Sequence, residues 1–435
     1  MTSIAVLGGG PAGLYAAWKA AAAGHDVVVH ERAAHVGGMA ASFDVAGVRV
    51  DHGSHRLHPA TDPGILAELR ALLGDDLQWR PRNGRIRLED RWVKFPLSLP
   101  DVARRLPPSF AFGVARDAVT APRRRPRADT FAEVVRAGLG PTMLGRFYGP
   151  YARKLWGLDP ELLSGEQARR RIAASSPAAM VGKVVRRGPA GFWYPTHGFG
   201  QLTERLAEAA VAAGAEVRCG SEVTALDDLD ADLVWSTLPL TALAGLAGGP
   251  EVGLTFRALV LVYLVLDRPQ WTSWDAHYLP GPETVASRVS EPRNYRIRPA
   301  DPTDRTVLCA EVPCQVGDAT WTASGAELGA LVAGGLARCG LPDATPTEVV
   351  VRRLPTAYPV YGLGFEAPLA ELEAWAATVP GVVSFGRGGL FAHDNTHHAL
   401  AEGRAAAACL GADGTWDHAA WTAARAGFAA HVVED

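Results

Sequence analysis

Lysine is almost missing from this chain: Lys19, Lys94, Lys154 and Lys183 are the only four among 43 basic residues, and none follows position 183. Any site built from the second half must therefore draw its cations from arginine and histidine. Cysteine is scarce too. Cys219, Cys309, Cys314, Cys339 and Cys409 form an odd set without CxxC spacing, which argues against a disulfide framework or a zinc ribbon and predicts core thiols in a reducing compartment. Long apolar runs are lacking. The most apolar stretch, Phe256 to Leu266, is far shorter than the ~20 residues of a membrane helix and carries Arg257, so it reads as a buried strand. With a net charge of only −3 and no aromatic-interleaved basic stripe, nucleic acid is not expected as a partner. No GxSxG elbow supports a Ser-His-Asp site, no internal repeat is visible, and no basic leader precedes the first strand, which predicts a cytoplasmic protein.

What is present is an ordinary globular composition, 48% hydrophobic and 20% charged. The 435 residues predict two or three compact units at ~150 residues per domain. Ser3 to Leu7 is a short apolar run ending in Gly8-Gly9-Gly10-Pro11-Ala12-Gly13, followed by an Ala-rich stretch to Gly24 and an apolar run from Asp26 to His30. Strand, GxGxxG, helix and strand in that order form a dinucleotide fingerprint. Gly8 allows the tight turn, Gly10 lets backbone approach a pyrophosphate, and Gly13 lets helix and strand pack closely. The helix N-terminus then offers N–H groups and a positive dipole end to the phosphates. Glu31 closes the second strand where an acid binds ribose hydroxyls, with Arg32 beside it. A second glycine pair, in Gly37-Gly38-Met39-Ala40, follows where backbone approaches the dinucleotide again, as expected for FAD in an extended pose.

Further along, Asp62-Pro63 opens an amphipathic helix that Gly74 ends, and Arg85 to Phe95 reads as a hairpin. Residues ~100 to ~185 read as helices broken by proline, and include the run Arg123 to Arg127, taken as a solvated loop; peripheral membrane contact is not expected. Gly198 to Arg218 reads as helix and strand, and Glu222 to Leu226 and Asp232 to Ser236 return to the nucleotide domain. Leu259 to Leu266 and Thr306 to Val312 are the clearest strands of a separate sheet. Gly381 to Leu410 reads strand, turn and helix. The expected fold is α/β: a discontinuous Rossmann-like FAD-binding domain of the glutathione-reductase type in parts 1–80, 191–247 and 366–435, interleaved with a helical part 81–190 and a substrate-domain sheet 248–365.

The stretch Gly386-Arg387 through Asn395-Thr396-His397-His398 ends a strand in glycines and opens a helix with polar residues. Asn395 or Thr396 is the expected N-cap, leaving N–H groups free to hold the N1/O2 edge of a reduced flavin. Together with Val50 to His58, Tyr148 to Leu158, Trp193-Tyr194-Pro195, His197 to Leu202 and Ala357 to Tyr361, this stretch resembles the FAD-dependent amine oxidase and protoporphyrinogen oxidase-like flavoproteins. Within them it is nearest to the protoporphyrinogen-oxidase-like proteins of polysaccharide and natural-product pathways, then to UDP-galactopyranose mutase. The resemblance implies that Gly386 and Arg387 lie at the flavin's phosphate and ribityl region, that Asn395, Thr396 and His397 lie beside the ring, that Ser54 and His55 lie over it, and that Val223 contacts adenine through its backbone. Met39 departs from the arginine or asparagine usual after that glycine pair. Arg387 departs from the acid usual in amine oxidases.

For the chemistry, the resemblance implies a flavin that takes a hydride while a nearby group takes a proton. His55, His393, His397, His398 and Tyr358 are the candidates for that group. Arg56, Arg353, Trp193, Tyr194 and Tyr361 are candidates for binding a small-molecule substrate. No metal is expected, because the spacing of His52, His55 and His58 does not converge on one point. Three functions stay open: a net FAD-dependent oxidoreductase, a redox-neutral mutase acting on a nucleotide sugar, and a non-catalytic FAD-binding scaffold. The missing late lysine weighs against oxygen-using amine oxidation, because relatives of that kind place a lysine from the substrate sheet near the flavin.

Overall fold

The computed structural model describes residues 2–96, 99–172 and 191–433; Lys183 and the end of the predicted helical stretch lie outside the described residues. Two sheets organise the chain. The first is parallel and five-stranded, in the order Val382–Ser384, Leu233–Ser236, Ser3–Leu7, Asp26–Glu31 and Glu216–Cys219. Its strands come from three widely separated stretches of sequence, so the N-terminal pair is flanked on both sides by chain that follows much later. Helices Pro11–Ala22, Gln201–Ala212 and Thr396–Ala408 pack together on it around Leu14, Tyr15, Leu202, Leu206 and Leu400, all fully buried. Such a sheet, covered by helices, needs apolar residues on both faces. The run Ala5-Val6-Leu7 meets that need.

The second sheet has seven strands, ordered Glu348–Val360, Thr255–Leu266, Thr306–Cys314, Arg288–Ser290, Ala276–Tyr278, Gly84–Leu88 and Arg91–Phe95. Thr255–Leu266, second in this order, pairs on both sides and is buried on both faces from Ala258 to Leu266. One face carries helix Gly325–Arg338, started by a capping box of Ser324 and Glu327. A helical unit between residues 99 and 172 packs beside the last strands around Phe110, Phe131, Val135, Leu155 and Trp156.

Local expectations hold where a cap or a period is strong. Helix Pro63–Leu73 begins at Asp62, whose carboxylate accepts from the N–H groups of Gly64 and Ile65 at 2.8 and 3.1 Å. Residues Gly84–Leu88 and Arg91–Phe95 form the hairpin. Residues 222–225 return to the five-stranded sheet without forming a strand, with Val223 half-buried against Ala5, Leu7 and Val234. No helix among the described residues is long and apolar enough to cross a membrane.

Candidate functional site

The N-terminal glycines have the geometry of a phosphate cradle. Gly8 has φ +107°, and a side chain on Gly13 would put its Cβ 2.2 Å from the Gly8 carbonyl oxygen, so both positions demand glycine. A Cβ on Gly10 would meet nothing within 4 Å, which leaves open space before the N-terminus of helix Pro11–Ala22. Pro11 stands at the first helical position, where its missing N–H costs nothing. Glu31 is buried and accepts from Gly9 N–H and Ala33 N–H, both at 2.8 Å. The second glycine pair closes on the first. Gly37 donates to Gly9 O at 2.7 Å, and the Cβ position of Gly38 lies 3.6 Å from Gly10 Cα. From the far end of the chain, Gly386 reaches the same place with φ +81°, its Cβ position 3.4 Å from Ala12 Cβ. Arg32 points to solvent, while Ala12 and Ala40 are buried.

Next to the cradle, a pocket opens between the two sheets. Met39, His52, Ser54 and His55 line it from the nucleotide side, Arg288, Glu311 and Tyr358 from the seven-stranded sheet, and Tyr151 and Arg171 from the helical unit. Arg387 and Asn395, the latter at the start of helix Thr396–Ala408, line its other end, and Val433 of the C-terminal segment also reaches it. Two buried carboxylates fix the loop that carries His52 and His55. Asp51 accepts from Ser42 Oγ at 2.6 Å, from Phe199 N–H at 2.9 Å and from the Tyr194 hydroxyl. Glu311 accepts from Ser54 N–H at 2.8 Å and grips Arg288 in a fork, with Nε at 3.0 Å and Nη2 at 2.9 Å. Arg288 and Glu311 stand opposite each other on paired antiparallel strands. Gly53, with φ +106°, lets the loop pass over Glu311. Neither Glu311 nor Arg288 was singled out from the sequence. The available signal was the lone carboxylate in the otherwise apolar run Thr306–Cys314.

Burial favours the neutral form of His52, His55, His393 and His397. His55 lies below its ordinary pKa because it is desolvated, and its Nε2 bonds the His52 carbonyl at 3.0 Å. A carbonyl only accepts, so the proton sits on Nε2 and the lone pair on Nδ1. Desolvation also lowers His52 to about 4 and His397 to about 3. His393 is pushed far down by burial between Trp156 and Tyr361, with Nε2 facing the Gln167 amide at 3.0 Å. His393, His397 and His398 all lie outside the pocket lining. His397 stacks on His58 with ring centres 5.2 Å apart, and His398 accepts from Asn395 N–H at 3.2 Å in a capping box that starts helix Thr396–Ala408. Tyr358 does face the pocket, and burial raises its pKa. Arg387 is tied by carbonyls, donating to Asp394 O at 2.7 Å and Ala357 O at 3.0 Å.

The five residues proposed to bind substrate lie elsewhere. Arg56 makes an ion pair with Asp275 at 3.2 Å under the rings of Phe192 and Tyr295. Arg353 is exposed and donates to the carbonyls of Trp321 and Ala323, both at 2.6 Å, where it caps a short helix. Trp193 packs between Trp79 and Arg70 and pairs its backbone with Leu57. Tyr194 anchors Asp51, and Tyr361 stacks on Phe365 at 4.2 Å with its hydroxyl on Phe391 O. Each of these aromatic or cationic groups finds its partners in the core or at the surface, and the pocket is lined instead by residues from both sheets' sides, among them Arg288 and Glu311, which the sheet register brings together. Lys154 points into a turn of the sheet, donating to the carbonyls of Leu279 and Ala286, and burial lowers it to about 8.

Beneath the start of helix Thr396–Ala408, Asp394 accepts from His431 Nδ1 at 3.0 Å and lies 3.2 Å from His398 Nδ1. Burial raises its carboxyl, but the His431 bond and the nearby His398 ring outweigh this and hold it below the usual range, while burial raises Glu402. Three possible ligand atoms thus lie within 4.8 Å of one another. A metal must lie near both ring planes, yet the two imidazoles stack 4.1 Å apart at 11°, so no point serves both. The cluster clamps the C-terminal segment, whose Val433 N–H also bonds Arg170 O at 2.9 Å.

A family profile for an NAD(P)-binding Rossmann-like domain matches residues 6–72. No curated protein matches the sequence. Solved structures do. A reduced UDP-galactopyranose mutase is 19% identical over 94% of this chain and 93% of its own, with a TM-score of 0.78. A protein from Exiguobacterium sp. 255-15, provisionally named a protoporphyrinogen oxidase, is 19% identical over 98% of both chains, with a TM-score of 0.72. A putrescine oxidase solved with putrescine bound is 18% identical over 94% of this chain and 98% of its own, with a TM-score of 0.60. At these identities the likeness is one of fold, and at that level the resemblance carried by the motifs holds.

Proposed function

We propose that this protein is an FAD-dependent oxidoreductase that removes a hydride from a small, anionic organic substrate. One observation carries the reading: Met39, Ser54 and His55 from the dinucleotide cradle line the same pocket as Arg288, Glu311 and Tyr358 from the sheet. The cradle fits FAD, because Gly10 leaves room where a pyrophosphate lies and Gly37-Gly38 and Gly386 close around the same helix N-terminus. In this reading Gly8 to Gly13, Glu31, Gly37 to Ala40, Val223, Gly386 and Asn395 to His397 hold the cofactor. The nucleotide-binding parts are 1–80, 191–247 and 366–435, and the substrate side is 81–190 and 248–365.

When bound, FAD supplies the hydride acceptor. The chain's own groups bind, orient and move the proton. Arg171, Arg288 and Arg387 line the pocket against the single carboxylate of Glu311. Glu311 neutralises Arg288, and the other two guanidinium groups favour an anion. His55, neutral with its lone pair on Nδ1, takes the substrate proton, and Tyr358, kept protonated by burial, donates a hydrogen bond.

A redox-neutral mutase acting on a nucleotide sugar is the second reading, favoured by the same arginines, whose planar forks suit a diphosphate. The test is a stopped-flow trace: the purified protein's flavin is reduced without oxygen, mixed with aerated buffer, and followed at the oxidised band. Fast return supports an oxidase. Slow return directs the search to dehydrogenase acceptors and, with pre-reduced protein, to nucleotide sugars. A protein purified without flavin that takes none up refutes the reading. A scaffold role predicts that replacing both Asn395 and His397 by apolar residues leaves flavin content and every turnover unchanged.

A further inference from the structure

Phe112 and Val119 are the two most exposed large apolar side chains among the described residues, at 72% and 73%. They stand two turns apart on helix Pro108–Thr120, and so share one face. Ala111 and Ala115 are exposed on the same strip. The opposite face is firmly seated: Phe110, Gly113 and Asp117 are buried, and Asp117 accepts from Thr142 N–H at 2.8 Å. The exposure therefore belongs to the packed state of the helix.

Arginines flank this helix along the chain, and Arg123 follows Val119 by one turn. Arg104 precedes the helix and Arg123, Arg125 and Arg127 follow it, all exposed and none with a carboxylate partner among the described residues. Their neighbours are already engaged: Arg105 with Asp101, Arg116 with Asp117, Arg136 with Glu133, and Arg124 with the Asp117 carbonyl. Asp129 is taken by Arg169. The helix thus presents apolar side chains with exposed arginines before and after it that face no carboxylate among the described residues, while the acids next to it in the chain, Asp101, Asp117, Asp129 and Glu133, are all paired. A second copy is a poor occupant, because a two-fold contact lays this surface on itself and sets arginine against arginine.

We propose that this face docks the protein on an anionic lipid surface, with Phe112 and Val119 entering the headgroup boundary and the four arginines holding lipid phosphates. Apolar side chains flanked by cations suit a helix lying in the plane of a bilayer surface, and the guanidinium fork matches a phosphate with two bonds. The inference reverses the sequence expectation that peripheral membrane contact is absent, because the exposed Phe112 and Val119 beside the arginine run become visible only in the fold, and it does not depend on the flavin reading.

The experiment is flotation of the full chain with phosphatidylcholine vesicles, with and without phosphatidylserine. Wild type is expected to float only with the anionic vesicles, and less as salt rises. Each guanidinium at such a surface is worth roughly fivefold in partitioning, so R104Q/R123Q/R125Q/R127Q is expected to lose on the order of several hundredfold. F112S/V119S is expected to lose about tenfold or more. If a combined variant fails to fold, F112S and R125Q alone carry the same signs. Equal binding to neutral and anionic vesicles overturns the proposal. So does binding that depends on the arginines and ignores Phe112 and Val119, which marks a polyanion or acidic-protein surface. Self-association without lipid that F112S/V119S abolishes assigns the face to a second copy and overturns it too.

Discussion

Replacing Glu311 with glutamine tests the idea that one carboxylate joins the two halves of the pocket. Its oxygens accept from Ser54 N–H and from both Nε and Nη2 of Arg288, and the two side chains are only 3% and 17% exposed. Glutamine keeps the shape and removes the charge, so it turns an amide donor toward a donor and strands Arg288. Breaking a buried pair by removing one partner costs about 3–5 kcal/mol; because Arg288 borders the pocket and keeps some water, the lower end, about 3 kcal/mol, is expected. R288M strands Glu311 and should cost a similar amount. The double variant E311Q/R288M strands no charge and should also cost about 3 kcal/mol, where additivity would give about 6, a coupling of about 3 kcal/mol. The four proteins are compared by urea unfolding followed by circular dichroism. Single costs that add in the double variant to within about 0.5 kcal/mol would show that the pair is not a unit and refute the reasoning.

Gly13→Ala should remove flavin and lower the melting temperature, since its Cβ would lie 2.2 Å from a backbone oxygen that cannot move alone; a variant purified with wild-type flavin content rules this out. The pH dependence has a definite sign. His52 and His397 are lowered by burial to about 4 and about 3, below the ~6.5 of an unfolded chain. Between those values the unfolded chain binds more protons, so their contribution is full above pH ~6.5 and is lost as pH falls toward 4 and then 3. Melting between pH 8 and 4.5 should follow that course and flatten in H52Q/H397Q, whereas a melting temperature that rises from pH 7 to 5 contradicts it. Asp394→Asn removes the charge shared by His398 and His431. Residues 429–433 should then become susceptible to limited proteolysis, and an unchanged digestion pattern counts against a clamp.

The N-terminal strand, glycine turn and helix were legible because their geometry is set locally. Tight turns and close approaches need glycine at fixed spacing, and Gly8, Gly10, Gly13, Gly37 and Gly386 all fall on one helix N-terminus. The buried strands and the Asp62 cap were legible for the same reason. The substrate side was not. Arg353 and Tyr361 look like ligand-binding residues in a strand-rich segment, but a strand says nothing about which face will be covered. The carbonyls of Trp321 and Ala323 take one and the Phe365 ring takes the other. Glu311 and Arg288 meet only through the register of two strands 20-odd positions apart. His393 shows the limit of motif reading: its place in the sequence suggested the flavin, while the Gln167 amide and two aromatic rings had already claimed it.

The strand order of the parallel sheet bears on how the chain is made. Ser3–Leu7 lies between Asp26–Glu31 and Leu233–Ser236, and the sheet is finished only by Val382–Ser384. A ribosome that has released the first half of the chain has therefore exposed the glycine turn and one strand pair with an open apolar edge. Closure waits for the last fifth of the sequence, with Gly403 set against the Ala12 carbonyl. Such late closure over a long sequence separation is slow and leaves unpaired strand edges exposed meanwhile. A chain that ends before residue 382 therefore leaves the outer edge of Leu233–Ser236 without its partner strand.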